Sequence, residues 1–182
     1  MSRETFSAIF DLHAPALYKY AFLLYNSAMI ADQMVGDIFA RLSEDMLDGR
    51  VKGIHLRCHL YQIAYHLFVG EMHFSERLTP VDGIGLKAGR GAFVDPLSED
   101  RVDFEIVQQA LRYDLTSDQR HVVILRFIAG FSVKETAVIM SKKVNHIKVI
   151  QNRAMAALRG ALGNQGMETR TLTQLIMRMA QG

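Results

Sequence analysis

Between Lys142 and Arg159 the sequence sets cations and amides at spacings that suit contact with a polyanion. Lys142 and Lys143 come first, followed by Asn145, His146, Lys148, Val149, Asn152, Arg153 and Arg159. At about 100° per residue, Asn145, Lys148, Asn152 and Arg159 fall on one arc of a helix, with Val149 at its edge. Ile147, Ile150, Ala154 and Leu158 fall on the opposite arc. The chemistry open to the polar arc is recognition rather than bond making. Lysine and arginine neutralise phosphate, asparagine pairs with base edges, and a small apolar side chain meets a thymine methyl. A solvated basic face on a helical hairpin is the plainer reading of the same residues.

A second set of reactive side chains is the series His55, His59, His66 and His73, with Cys58 and Gln62 beside it. On a straight helix these histidines lie within about 40° of one another. His55 and His59 have the spacing of a metal pair, but no third ligand is evident. One reading is a metal, haem or pH-sensitive surface; the other, which the missing ligand favours, is the polar flank of a helix. No nucleophile–base pairing or phosphate loop occurs. The expectation is therefore a protein that is not an enzyme and has no cofactor or metal.

The elements that must position these residues read as helices throughout. Val102–Tyr113 shows apolar residues at helical spacing, and Thr116 or Ser117 then caps a helix over Gln119–Ile128 that Gly130 ends. Ser132 and Glu135 form an S-x-x-E capping box for a short helix, Val133–Met140. A tight break at Ser141–Lys143 leads into a long helix from Val144 to about Leu162. Short helix, short turn and long helix are the proportions of a helix-turn-helix. Lys142 and Lys143 sit in the turn, where they reach the backbone as the helix enters the groove.

The N-terminal half carries three more helices. Glu4–Tyr25 and Met29–Asp45 have apolar residues at helical spacing. In the second, Ile30, Met34, Ile38, Phe39 and Leu42 face one side, with Asp32, Gln33, Gly36, Asp37 and Arg41 elsewhere. A third runs from about Ile54 to Arg77 on a stripe of Leu56, Leu60, Ile63, Leu67 and Phe74. Such an arrangement suggests a three- or four-helix bundle. Between the halves, residues 78–98 hold four glycines and two of the three prolines, the composition of a flexible linker. The expected fold is all-α: a helical domain over 1–77, a linker over 78–100, a helix-turn-helix domain over 101–165, and a short amphipathic helix and tail over 166–182.

Charge separates the same parts. Residues 1–77 carry 7 Lys/Arg against 9 Asp/Glu, residues 78–114 carry 4 against 7, and residues 115–182 carry 10 against 3. The C-terminal third, at +7, is thus the part suited to a polyanion. A single cysteine excludes an internal disulfide framework and fits a reducing compartment. With no signal-peptide pattern and no bilayer-spanning run, a cytoplasmic location without membrane insertion is expected.

Leu115–Met140 resembles region 4 of the extracytoplasmic-function (ECF) sigma factors of the sigma-70 family. The family pattern has a Leu-Pro-x-x-x-Arg start, then Leu-Arg, Gly-aromatic-Ser and Glu-x-Ala; Ile147-Lys148, Arg153-Ala154 and Leu158-Arg159 resemble its recognition-helix ending. Ala31–Phe39 and Leu60-Tyr61-Gln62-Ile63-Ala64 are similar to region 2. The resemblance implies a factor that binds core RNA polymerase, through the β′ coiled coil and the β flap, and directs it to promoter DNA. Region 4 would read the −35 element through the Lys142–Arg159 residues above. Asp32, Gln33, Gly36, Asp37 and Arg41 would face the polymerase, and an anti-sigma factor would be a further partner.

The chain departs from the family in region 2. Gln33 stands where the family usually has aspartate, and Gly36 where it has glutamine. Tyr65-His66 replaces Arg-Asn, leaving Tyr65, His66, His73 and Arg77 as the residues at the −10 contact. A sigma-like regulator that binds an anti-sigma factor or polymerase without normal promoter melting is the competing expectation.

Overall fold

In the computed structural model the described residues are 3–51, 55–77 and 99–163, with side chains described over 6–51, 55–70 and 105–161. They form seven α-helices: α1 Arg3–Tyr25, α2 Ala28–Leu47, α3 Leu56–Arg77, α4 Glu99–Tyr113, α5 Ser117–Val123, α6 Val133–Ile139 and α7 Val144–Gly163. No described residue is in a strand, and no described helix is long and apolar enough to cross a membrane. The chain divides into two compact units. The first is α1–α3; the second is built on α4, α5 and α7 with most of α6.

In the first unit α2 packs on α1 and α3. Asn26, in a left-handed conformation (φ 53°), turns the chain out of α1, and the Ser27 hydroxyl caps α2 by accepting from the Ile30 N–H. Leu17, Tyr20, Ala21, Ile38, Leu42, Leu60 and Ala64 are fully buried between the three helices. Each such side chain is worth roughly 1.5–3 kcal/mol of transfer free energy if large. Tyr61 lies edge-on to Tyr20, with ring centroids 5.2 Å apart, and donates to the Ala16 carbonyl at 3.3 Å. Burial pushes its phenol up to about 12, so it stays a donor at any physiological pH.

The sequence-derived stripe of α3 needs correction. Leu60 and Ile63 are buried, but Leu56 and Leu67 are only half-buried, while Cys58, His59, Tyr61, Ala64, Tyr65 and Phe68 are inside. The buried arc is therefore wider than the stripe implied. Phe74, the tail over 164–182 and the linker residues 78–98 lie outside what is described, at least in their side chains.

In the second unit α5 and α4 both pack on α7. Thr116, rather than Ser117, is the cap of α5, and it forms a full capping box with Gln119. At its C-terminal end α5 widens into a π-helical turn, Ile124–Ile128, with the Ala129 N–H donating to the Ile124 carbonyl at 2.8 Å. Gly130 (φ 72°) then reverses the chain, a backbone conformation that disfavours any residue with a Cβ.

Candidate nucleic-acid interface

The helix-turn-helix is assembled by short-range rules. Ser132 and Glu135 cap α6 reciprocally: the Glu135 N–H donates to the Ser132 hydroxyl at 3.2 Å, and the Ser132 N–H to the Glu135 carboxylate at 2.7 Å. After α6 the Lys142 N–H donates to the Ala137 carbonyl at 2.9 Å, and Ser141 takes a left-handed conformation (φ 52°). That geometry redirects the chain within four residues and starts α7 at Val144.

α7 separates its two faces cleanly. Ile147, Ala154 and Leu158 are fully buried and Ile150 nearly so. Lys143, Asn145, His146, Lys148, Val149, Asn152, Arg153 and Arg159 are all exposed. The exposed set thus presents cations, two amides and one β-branched apolar side chain along a single helix. Val149 is 46% exposed despite its apolarity. This surface offers donors and positive charge for phosphate and base edges.

Lys142 differs from the others. Its ammonium lies 3.1 Å from the Asp118 carboxylate at the start of α5 and is only half-exposed. It ties the turn to α5 as well as adding to the positive surface.

Two arginines emerge as positioning residues that helical periodicity does not single out. Arg120 donates from Nε to the Leu111 carbonyl at 2.8 Å and from Nη2 to the Arg112 carbonyl at 2.7 Å, holding the end of α4. Arg126 donates from Nε to the Gln151 side chain at 3.0 Å and from Nη1 to the Phe131 carbonyl. It therefore braces the π turn and the start of α6 against α7. Their signal in sequence is their place in the quoted family pattern, with Arg120 at its opening and Arg126 in its Leu-Arg. His121, fully buried in α5, donates from Nδ1 to the Ser117 carbonyl at 2.9 Å. Burial, aided by the nearby Arg120 charge, holds its imidazole down to about 4 against the opposing hydrogen bond. It is a neutral core group at physiological pH.

In the first unit the sequence-derived set separates. Asp32, Gln33, Gly36, Asp37 and Arg41 are exposed along α2. Arg41 is engaged within its own helix, with Glu44 at 3.0 Å and Asp45 at 3.7 Å. Tyr65 is 7% exposed and belongs to the core, so it is not a surface contact, whereas His66 is exposed. The side chains of His73 and Arg77 lie outside the described residues.

The histidine stripe is divided too. His55 precedes α3 and is exposed, while His59 is buried with Nε2 3.0 Å from the Asp45 carboxylate. Arg50 meets the same carboxylate at 3.0 Å. His59 is thus a core residue held by a buried acid, a contradiction of the polar-flank reading at that position. Among the described residues no three His, Cys, Asp or Glu groups gather as a metal set.

Comparison with known proteins bears on this surface. Residues 114–160 match the family model for sigma-70 region 4. Over 160 residues the chain is 28% identical to the ECF RNA polymerase sigma factor BldN of Streptomyces coelicolor, a match covering 85% of this chain and 59% of that protein. Over 164 residues it is 27% identical to the ECF RNA polymerase sigma factor SigX of Bacillus subtilis, covering 86% and 82%. Among solved structures it is similar to the sigma factor RpoE from Bartonella quintana, determined in complex with the anti-sigma factor NepR. There the TM-score is 0.73 and the identity 27%, over 88% of this chain and 98% of that one.

Proposed function

We propose that this chain, which belongs to the ECF sigma factors of the sigma-70 family, is an alternative sigma factor that joins core RNA polymerase and directs it to a subset of promoters. The observation that carries this is the exposed face of α7. Asn145, Lys148, Val149 and Asn152 stand out from a helix whose other side is fully packed. A face so built enters a major groove with the side chains needed for phosphate and base contact, and it lies within the region 4 match. In this reading it reads the −35 element, and Lys142 and Lys143 secure the backbone. Asp32, Gln33, Gly36 and Asp37 on α2 face the polymerase.

The two units correspond in this proposal to a region 2 domain over 1–77 and a region 4 domain over 101–165, with the linker between them. The polymerase supplies the catalysis. An anti-sigma factor is a proposed further partner, as one is bound to the similar Bartonella protein.

A second reading has one specific support. Tyr65 is buried and His66 stands exposed where the family usually has Arg-Asn, so at this position the described residues offer one imidazole for holding a displaced strand, which uses aromatics and positive charge. In that reading the chain keeps polymerase or anti-sigma binding without melting promoters in the usual way. Mixing the protein with core polymerase and a promoter library, then mapping 5′ ends, separates the two. Discrete new start sites support the sigma reading. Polymerase binding with no start site supports the second, and neither result with purified, folded protein overturns both.

A further inference from the structure

The packed side of α7 is built from Ile147, Ile150, Ala154 and Leu158. Aliphatic packing of this kind is strong but non-directional. It holds α7 against its neighbours better than it resists rotation of α7 about its own axis. On a reading helix that rotation matters. At a helix radius of about 5–6 Å, a roll of about 20° carries the outer side chains sideways by about 2 Å. A hydrogen bond to a base edge does not survive such a shift.

One polar contact is placed to fix the roll. Gln151 sits at the border of the two faces, half-buried between Ile150 inside and Asn152 outside. Its side-chain oxygen accepts from Arg126 Nε at 3.0 Å. The same guanidinium donates from Nη1 to the carbonyl of Phe131, the residue just before the Ser132 cap of α6. Phe131 is buried, and its N–H donates to the Leu125 carbonyl at 2.9 Å. A planar fork thus joins the entry of the first helix of the helix-turn-helix to the flank of the second.

The π turn delivers that fork. Its Ala129 N–H to Ile124 carbonyl bond spans five residues, and the added residue rotates Arg126 relative to its place on an unbroken α-helix. Turns of this type are frequent at functional sites. The Phe127 ring lies beside the guanidinium, with its centroid 5.9 Å from the central carbon. Arg126 belongs to the family's Leu-Arg pair, but Gln151 lies outside the motifs that carry the family resemblance.

We propose that Arg126 and Gln151 are positioning residues for base recognition: their bond sets the roll of α7 so that Asn145, Val149 and Asn152 meet base edges. The inference rests on the reading that the outer face of α7 contacts duplex promoter DNA. Lys142, Lys143 and Lys148 reach phosphate through long side chains that tolerate a small roll. The pair therefore acts on sequence discrimination and not on affinity for DNA as such.

The test uses the full chain reconstituted with core RNA polymerase, on a promoter it selects and on a duplex of equal length with the upstream element scrambled. Binding to both is titrated at several salt concentrations. Gln151→Leu keeps the side chain's bulk and removes the acceptor. It should lower the ratio of the two affinities by about tenfold or more, the worth of one base contact. The scrambled duplex should bind as before, with the salt slope unchanged. Gln151→Glu restores an acceptor for Arg126 and should keep the ratio within about threefold of wild type, its added charge lowering both affinities alike. Arg126→Lys should lose at least as much as Gln151→Leu, and the double variant no more than Arg126→Lys alone, because the two changes remove one shared bond. An unchanged ratio for Gln151→Leu, an equal loss on both duplexes, or a Gln151→Glu variant as unselective as Gln151→Leu overturns the positioning role while α7 still reads DNA. A wild-type complex that does not distinguish the two duplexes overturns the reading of α7 and the positioning role with it.

Discussion

α3 and α7 invite the same reading from sequence and differ in what they do with it. Each is a long helix with polar and aromatic candidates for nucleic-acid contact on one side. α7 keeps those candidates outside and buries only aliphatic residues. α3 buries His59 and Tyr65 and leaves His66 as its exposed candidate among the described residues. The cause is packing. Each helix packs on two neighbours, α3 on α1 and α2 and α7 on α4 and α5, but α3 buries a broader arc that takes in the amphipathic side chains of His59, Tyr61 and Tyr65. α7 leaves a full face uncovered. Polarity predicts position where the buried arc is narrow and aliphatic, and predicts it poorly where the arc is broad enough to take in amphipathic side chains.

The largest expected effect lies on the buried side of this comparison. Tyr65→Ala should destabilise the first unit by about 3 kcal/mol or more through the cavity it leaves, while His66→Ala should stay within about 0.5 kcal/mol. Urea midpoints of the two variants measure this, and equal small losses would return Tyr65 to the surface. Comparable in size is the pH response of the second unit. The folded value of His121, about 4, lies below its ordinary 6.5, so the unfolded chain binds the proton that the folded one refuses. Its stability contribution is complete above about pH 6.5 and is lost as the pH falls toward 4, by about 3 kcal/mol in all. Denaturation midpoints across that window, against His121→Gln, should show the slope and its reduction.

Smaller effects sharpen the exposed face. Asn152→Ala should cost about 1–3 kcal/mol of discrimination between promoter sequences with little change on unrelated DNA. Lys148→Ala should weaken binding to all sequences and lower the salt slope by about 1. Identical behaviour of the two would move the reading face elsewhere on α7. The smallest, Ser132→Ala, should cost about 1 kcal/mol by removing half of the α6 capping box, seen as a lower melting point of the second unit without a change in sequence preference.

What was legible in the chain follows from range. The Ser132–Glu135 box is a three-residue rule and appears as expected, as does the 3.6-residue spacing that buries Ile147, Ile150, Ala154 and Leu158. The π turn at Ile124–Ile128 has no local signature, since it adds one residue per turn to an ordinary apolar run. Ser141 adopts a left-handed conformation without being glycine, so only the brevity of the break announced it. The His59–Asp45 contact joins residues fourteen apart on different helices, and the Lys142–Asp118 pair spans α5 to the turn. Such pairings depend on how helices pack, which periodicity does not specify.

The central claim, that the outer face of α7 reads duplex promoter DNA, is tested most directly by hydroxyl-radical footprinting of core polymerase reconstituted with this chain on a promoter it selects. The account predicts protection upstream near −35 that is present with the wild-type chain and lost or spread with Asn152→Ala. A footprint confined to the start-site region, or one unchanged by Asn152→Ala and Lys148→Ala alike, would contradict it.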